Sequence, residues 1–185
     1  MVNYLKTKYI RIMILLLILV GVFIMFFSCC NTLAPDENLT LQRTDYIGNE
    51  LRIDGYYVHY FAKGKTDADF FFENGTVFRV RGRRIDGISD YSEKRFLDAN
   101  FIRLNRDTKT NWSVFEINGD DIVIQGWTHS SGGGIPIATR RGKILNDTTF
   151  VITSIHIHRQ TREINEVYHF RKFSPKPDST NSFIK

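Results

Sequence analysis

Hydrophobic and polar residues alternate over most of the chain after residue 49, a pattern typical of strands that bury one face. The clearest signal is a hairpin, in which the apolar run Phe70–Phe72 and the largely apolar Val77-Phe78-Arg79-Val80 flank Glu73-Asn74-Gly75-Thr76. Asn-Gly favours a type I′ turn, because both central residues of that turn need positive φ angles. Asn118-Gly119 and Asn146-Asp147 separate similar apolar runs. The pattern predicts about eight to ten short strands with hairpin-sized connections.

Three further segments extend this pattern. Irregularly spaced apolar residues between about Asp90 and Ala99 predict one or two turns of helix. The glycine-rich stretch Ser130–Pro136 lacks the Lys-Ser/Thr ending of a phosphate-binding loop, so it is interpreted as a plain loop. Near the C-terminus we expect a long strand over Thr148–Arg159, a turn over Gln160–Glu163 and a returning strand over Ile164–Phe173.

Short strands joined by tight turns predict an all-β fold with at most one short helix in the domain. We expect an antiparallel meander that forms a barrel or a β-sandwich, because closure removes unpaired strand edges. The order of strands resembles the lipocalin-like family of small extracytoplasmic barrels. The runs FEINGDDIVIQGW, KILNDTTFVITS and EVYHFRKFSPKPDS are also similar to the C-terminal half of uncharacterised small bacterial lipoproteins. These runs are turns and strand patterns, so the resemblance implies a fold and no chemistry.

The N-terminus has a different pattern, which predicts a signal or anchor helix. An apolar run from Ile10 to Phe27 is interrupted only by Arg11 and Gly21, and no acidic residue precedes it. Positive charge on the N-terminal side alone orients such a segment with its start in the cytoplasm. The run ends in Phe26-Phe27-Ser28-Cys29, which resembles the lipobox of bacterial lipoproteins.

The lipobox resemblance implies that Cys29 is the lipidated first residue of the mature chain, with Cys30 as the alternative lipidation site. An uncleaved transmembrane anchor is the other interpretation, since about 20 apolar residues span a bilayer. Either anchor predicts a membrane-attached protein of the bacterial cell envelope with its domain outside the cytoplasm, periplasmic or surface-exposed. Four segments are therefore expected: a signal peptide over 1–28, the lipidated Cys and a flexible tether over 29–48, a β-barrel-like domain over 49–174 and a flexible tail over 175–185.

Charge and cysteine content narrow the range of partners. The chain has 25 basic and 20 acidic residues; without the three basic residues of the signal, 25 − 3 = 22 remain, for a net charge of +2. No block of like charge stands out, so nucleic acid is not an expected partner. Both cysteines lie at the anchor, so the domain is expected to be held together by burial rather than by disulfides.

Histidines are the main candidates for a metal site or a catalytic site. His156 and His158 would share one face of a strand, with His169 on the next strand, and three histidines can bind zinc. The expected register separates His169 from the pair and no fourth ligand is evident, so neither a metal nor another cofactor is predicted. His59 and His129 are not accompanied by a G-x-S-x-G motif. The sequence therefore favours a protein that is not an enzyme.

Aromatic side chains in the strands support a different hypothesis, a ligand cavity, because barrels of about eight strands can enclose one small apolar molecule. The alternative is a filled core in a structural or interaction protein of an envelope complex. The partner would then be an envelope protein rather than a small apolar ligand. The candidate ligand-binding residues are Tyr56, Tyr60, Phe70, Phe72, Phe78, Trp112 and Trp127.

Overall fold

The computed structural model describes residues 13–20, 35–83, 94–129 and 133–185. The chain divides into two units, Met1–Pro35 with Ser131–Gly134, and Asp36–Ser130 with Ile135–Lys185. In the first unit, residues 13–20 are helical and their side chains are exposed. All strands of the described residues lie in the second unit.

Eight antiparallel strands form a closed barrel, in which neighbours in sequence pair and the last strand pairs with the first. The predicted all-β meander is confirmed, in its barrel form. Closure satisfies the backbone groups of both terminal strands, which would otherwise form exposed edges. The strands are β1 (Gly55–Tyr60), β2 (Lys65–Phe71), β3 (Thr76–Arg83), β4 (Trp112–Asn118), β5 (Asp121–Trp127), β6 (Ile137–Asn146), β7 (Thr149–Ile157) and β8 (Gln160–Lys172).

The β2–β3 hairpin forms where it was predicted, but with a different turn. Phe72 N donates to Thr76 O at 3.0 Å, and Gly75 N donates to Phe72 O at 3.1 Å. Gly75 has a φ of 75°, whereas Asn74 is not among the positive-φ residues. The loop therefore has three residues with glycine in the left-handed position, so the predicted type I′ turn is wrong.

The β7–β8 turn is tighter than the predicted turn over Gln160–Glu163. Ile157 pairs with Gln160, so the turn consists of His158 and Arg159 alone. His158 has a φ of 55°. Without a Gly, Asn or Pro at the turn, the sequence offers no signal for its position.

The one helix of eight residues in the barrel unit, within its described residues, is α1 (Ala99–Arg106). It begins where the predicted helix ends, because the Asp98 side chain caps it by accepting from Asn100 N and Phe101 N. Residues 94–96 form a short helical turn, and residues 90–93 of the predicted helix lie outside the described residues.

Apolar side chains fill the closed end of the barrel interior. This inner cluster has members on all eight strands, which is possible only inside the barrel, and Leu51 and Tyr46 pack against it from the preceding segment. Each fully buried large side chain contributes about 1.5–3 kcal/mol. The strand members are Tyr57, Phe71, Val77, Phe115, Ile122, Ile124, Ile144, Phe150, Ile152 and Tyr168.

A second apolar layer covers the outside of β1 to β5. Ile102 of α1 and Ile184 of the C-terminal segment belong to it. Lys176, within the segment predicted from composition to be a flexible tail, donates from Nζ to Ile53 O at 2.5 Å and to Phe71 O at 2.6 Å. Burial lowers the pKa of Lys176 to about 8. The C-terminal residues thus pack on the outside of the closed barrel.

Residues 36–46, which we call the strap, also lie against this wall, although they fall within the predicted tether. Leu39 and Leu41 pack on the outer layer. Thr40 N and Leu41 N donate to Gln125 Oε1 at 2.7 and 2.8 Å. Tyr46 N donates to Glu73 O at 2.6 Å.

Substitution of Gly75 tests the contact between the strap and the β2–β3 turn. A Cβ at this position would overlap the Thr44 carbonyl, whereas a Cβ at Gly119, also at positive φ, would meet nothing within 4 Å. We expect Gly119→Ala to cost about 1–2 kcal/mol through backbone strain. Gly75→Ala should cost a further ~1–3 kcal/mol through overlap. Urea unfolding of both variants measures the difference, and equal losses would show that the strap is not held there.

Candidate functional site at the open end of the barrel

The two ends of the barrel differ. The closed end has the tight β2–β3, β4–β5 and β6–β7 turns, and the buried Leu51 packs there on the inner cluster. The opposite end, which we call the open end, has the connections 61–64, 84–111, 128–136 and 158–159, of which residues 84–93 and 130–132 lie outside the described part of the chain. Charged side chains lie between the apolar filling of the closed end and the open end.

Strand β3 directs arginines into the interior. Arg79 and Arg81 alternate with Phe78 and Val80, which belong to the outer layer. Arg79 reaches the Tyr168 hydroxyl on β8, and β3 and β8 are not neighbours in the barrel. This contact therefore crosses the interior. We call Asp67, Asp69, Arg79, Arg81 and Arg140 the arginine layer.

Asp69 lies at the centre of the arginine layer and has no solvent exposure. Its Oδ1 accepts from Arg79 Nε and its Oδ2 from Arg79 Nη2, both at 2.6 Å. Arg140 Nη1, from β6 across the barrel, donates to the same Oδ2 at 3.2 Å. One carboxylate thus joins three strands through charge-assisted hydrogen bonds, which are stronger than neutral ones.

Asp67 is held less tightly. It lies 3.2 Å from Arg79 Nη1 and 3.9 Å from Arg81 Nε, which is close to the limit for an ion pair. Burial raises the pKa of Asp67 and outweighs the opposing effect of Arg79. The Arg81 side chain is 44% exposed, so its guanidinium reaches solvent at the open end.

Tyr168 borders the layer. Its hydroxyl accepts from Arg79 Nη2 at 3.2 Å and donates to Glu166 Oε2 at 3.4 Å. Burial raises the pKa of Tyr168 well above its ordinary value, although Arg79 opposes this. Tyr168 therefore stays a neutral hydrogen-bonding group.

A cavity of about 530 Å³ opens at the tip of the β7–β8 hairpin. Ile155 pairs with Arg162, and Ile157 pairs with Gln160, so the side chains of each pair share a face. Ile155 also pairs with Arg140, which faces the interior, so this is the inner face of the hairpin. The lining residues are Ile155, Ile157, His158, Arg159, Gln160 and Arg162.

A β-bulge sets the composition of this cavity. In the pairing with β6, the register shifts between Ile152 and Ser154, which leaves Thr153 as an extra residue in β7. In the pairing with β8, Ile164 and Asn165 both lie opposite Thr153, so β8 has the extra residue there. Ile152 faces the inner cluster, and simple alternation from it would turn Ser154 and His156 inward. The bulge instead turns Ile155 and Ile157 inward. An apolar wall beside guanidinium groups suits an amphipathic molecule with an anionic group.

Six of the seven predicted aromatic site residues lie together, but outside the barrel wall. Phe70, Phe78 and Trp112 are fully buried in the outer layer with Tyr56, Phe72 and Trp127. The Phe78 and Trp112 rings are 4.9 Å apart. Tyr60 is 40% exposed at the end of β1. The interior aromatic rings are instead those of Tyr57, Phe71, Phe115, Phe150 and Tyr168.

The three histidines weighed as metal ligands have separate surroundings. His156 Nδ1 lies 2.9 Å from Thr161 Oγ1, and His158 Nδ1 lies 3.3 Å from Glu37 Oε1. His169 pairs with Val58, an outer-layer residue. Among the described residues, no three His, Cys, Asp or Glu side chains are grouped as a metal site.

The predicted anchor falls largely on residues that the structure does not describe, Cys29 and Cys30 included. None of the helices in the described part of the chain combines the length and the hydropathy that a membrane crossing needs.

Reasoning from sequence missed the arginine layer, although β3 contains a usable signal. In Val77-Phe78-Arg79-Val80-Arg81, two consecutive apolar residues are followed by arginines that alternate with an apolar residue. A continuous apolar run indicates burial on both faces. The arginines that continue such a strand are therefore candidates for the interior.

Comparison of the chain with protein-family models, with curated proteins and with solved structures finds no match. The resemblance to lipocalin-like lipoproteins therefore stays a prediction.

The two aspartates of the layer should respond differently to neutralisation. Asp69→Asn leaves two buried guanidinium groups without their main partner, which should cost about 3–5 kcal/mol of unfolding free energy. Asp67→Asn relieves a carboxylate that burial already penalises, so the expected loss is about 1 kcal/mol or less. Urea unfolding at neutral pH measures both. Equal losses would contradict the central position of Asp69.

Proposed function

We propose that this protein is a membrane-anchored, non-enzymatic binding protein of the bacterial cell envelope. Its ligand is a small, mainly apolar molecule with one anionic group, bound at the open end of the barrel. The observation that supports this proposal most strongly is the cavity of about 530 Å³ on the inner face of the β7–β8 hairpin.

The composition of the cavity supports the ligand class. Ile155 and Ile157 offer an apolar wall for a hydrocarbon part, and Arg159 and Arg162 lie at the same opening. Arginine binds carboxylates and phosphates in a bidentate manner. Below the cavity the inner cluster occupies the closed end, so the ligand would lie at the opening rather than deep in the barrel.

The state of the buried carboxylates supports binding rather than catalysis. Both Asp69 oxygens accept hydrogen bonds from guanidinium groups, and Asp67 lies against Arg79. A general acid or base needs an oxygen within reach of the substrate. These carboxylates are instead placed to fix the arginines.

The anchor is supported by the sequence. The apolar run Ile10–Phe27, the basic residues before it and Ser28-Cys29 favour a cleaved lipoprotein signal with a fatty-acylated Cys29. Acyl chains add about 0.8 kcal/mol of membrane affinity per buried CH₂. The membrane is then a permanent partner of the barrel.

A second candidate function is an interaction protein of an envelope complex with a filled core. The observation that favours it is the burial of aromatic rings on both sides of the wall, since Trp112, Phe70 and Phe78 outside it and Tyr57, Phe71 and Phe150 inside it are fully buried. In that case the open end would bind no small molecule.

Photocrosslinking distinguishes these functions. The full chain in phosphatidylcholine vesicles is irradiated with diazirine-bearing palmitic acid or with the matching alcohol, which lacks the carboxylate. We expect adducts on residues 155–162 with the acid, and at least threefold fewer with the alcohol or with Arg162→Gln.

Arg141→Gln is the matched control, because Arg141 pairs with Ser154 on the outer face of the β6–β7 hairpin. It should leave the adducts unchanged. Absence of adducts on the β7–β8 hairpin would overturn the proposed site and favour the interaction protein.

Cys29→Ala tests the anchor. Since Cys29 is the proposed acylation site, the variant should lose its acyl chains and leave the membrane fraction. Mass measurement of the N-terminal peptide and fractionation measure the two effects. An acylated variant would make Cys30 the true site, and an unacylated wild-type chain would contradict the lipoprotein proposal.

A further inference from the structure

We propose that the open end of the barrel faces the membrane to which the chain is anchored, and that its basic rim contacts anionic phospholipid headgroups. The basic rim consists of Lys65, Arg81, Arg159 and Arg162. This inference rests on the proposed anchor and is independent of whether a small ligand binds.

The strap begins at the open end. Glu37 N donates to Ile135 O at 3.0 Å, and Trp127 Nε1 donates to Glu37 O at 2.8 Å. The Glu37 carboxylate accepts from Ile137 N at 2.8 Å and lies 3.3 Å from His158 Nδ1. Trp127 ends β5, Ile137 begins β6 and His158 is in the β7–β8 turn, so all three lie at this end.

The strap then runs from the open end toward the closed end. Thr40 and Leu41 bind Gln125, which lies further from the open end of β5 than Trp127. Tyr46 binds Glu73 in the β2–β3 turn at the closed end. The chain that precedes Asp36 therefore joins the barrel at its open end.

The chain between the anchor and the strap is short. Cys29 and Asp36 are 36 − 29 = 7 residues apart. Seven extended residues span at most about 25 Å, because each advances by no more than ~3.6 Å. A strand the length of β7, nine residues, is about 30 Å long. The open end can therefore lie at the membrane surface. The closed end cannot lie there in an upright barrel, because the seven residues are shorter than the strand that separates the two ends.

Asp36 and Glu37 fix this attachment. Asp36 Oδ1 accepts from Ile135 N at 3.0 Å, and Asp36 Oδ2 accepts from Lys109 Nζ at 2.8 Å. The Lys109 Nζ atom also lies 4.7 Å from the centre of the Trp127 ring. Together with the Glu37 contacts, these bonds hold the start of the strap against the ends of β5 and β6 and against Lys109.

The side chains at the open end fit a layer of anionic headgroups. Lys65, Arg159 and Arg162 are exposed, and Arg81 is partly exposed. Most described carboxylates of this region have a partner on the barrel or on α1. Asp36 binds Lys109, Glu37 lies beside His158 and Asp67 is buried beside Arg79. In the 84–111 connection, Asp98 caps α1 and Asp107 lies 3.7 Å from Arg103 Nη1. Tyr60, half-exposed at the end of β1, is the type of residue that lies in a membrane interface. A cavity that opens on this side would receive its ligand from the lipid.

The test compares how close the two ends of β7 lie to the membrane surface. The full chain, with Cys30→Ser to remove the spare thiol, receives a fluorophore at Arg159→Cys in the β7–β8 turn or at Asp147→Cys in the β6–β7 turn. It is incorporated into vesicles of 70% phosphatidylcholine and 30% phosphatidylglycerol that contain a headgroup spin label. We expect at least threefold stronger quenching at residue 159 than at residue 147.

The outcomes separate the anchor from the orientation. If the protein does not sediment with the vesicles, the anchor proposal fails and the inference fails with it. If it sediments but both positions are quenched equally, or residue 147 more strongly, the orientation alone is wrong. The ratio of quenching at residue 159 to quenching at residue 147 should fall in vesicles of phosphatidylcholine alone. It should also fall when Arg162→Glu is introduced. An unchanged ratio would overturn the contact between the basic rim and anionic headgroups.

Discussion

A carboxylate without solvent exposure holds the opposite sides of this barrel together. Asp69 on β2 binds Arg79 on the neighbouring strand β3 and Arg140 on β6. Since β2 and β6 do not pair, the bond to Arg140 crosses the interior. Burying such charges carries a large desolvation cost, which is offset only when every group finds its partner. The arginine layer therefore fixes the shape of the barrel, and it divides the interior into an apolar closed end and a polar open end.

This division decides where a ligand can bind. At the closed end the inner cluster is buried, and the Phe150 and Tyr168 rings are stacked with their centres 4.8 Å apart. At the open end, the bulge at Thr153 in the β6–β7 pairing brings Ile155 and Ile157 inward, where they line a cavity. The same end holds the start of the strap through Glu37. The candidate binding site and the route to the proposed anchor therefore share one end of the molecule.

Much of the fold could be predicted from local signals. The apolar runs around Asn74-Gly75 and Asn118-Gly119 fixed two hairpins, although Gly75 alone has the positive φ that the first turn needed. The candidate site could not be predicted as well. Phe70 and Phe78 were expected to line a cavity, yet they form the outer layer. Alternation identifies which residues share a face, but both faces of these strands are buried, so it does not say which face is inside.

The sequence by itself determined an antiparallel set of short strands, because turns and alternation are local properties of the chain. It also determined the long apolar run at the N-terminus, which depends on composition alone. Tertiary structure decided the rest. Asp69 and Arg140 are 71 residues apart in sequence and meet only when β8 closes on β1. A single extra residue at Thr153 reversed which side chains of β7 face the interior, because the side-chain period of a strand is two.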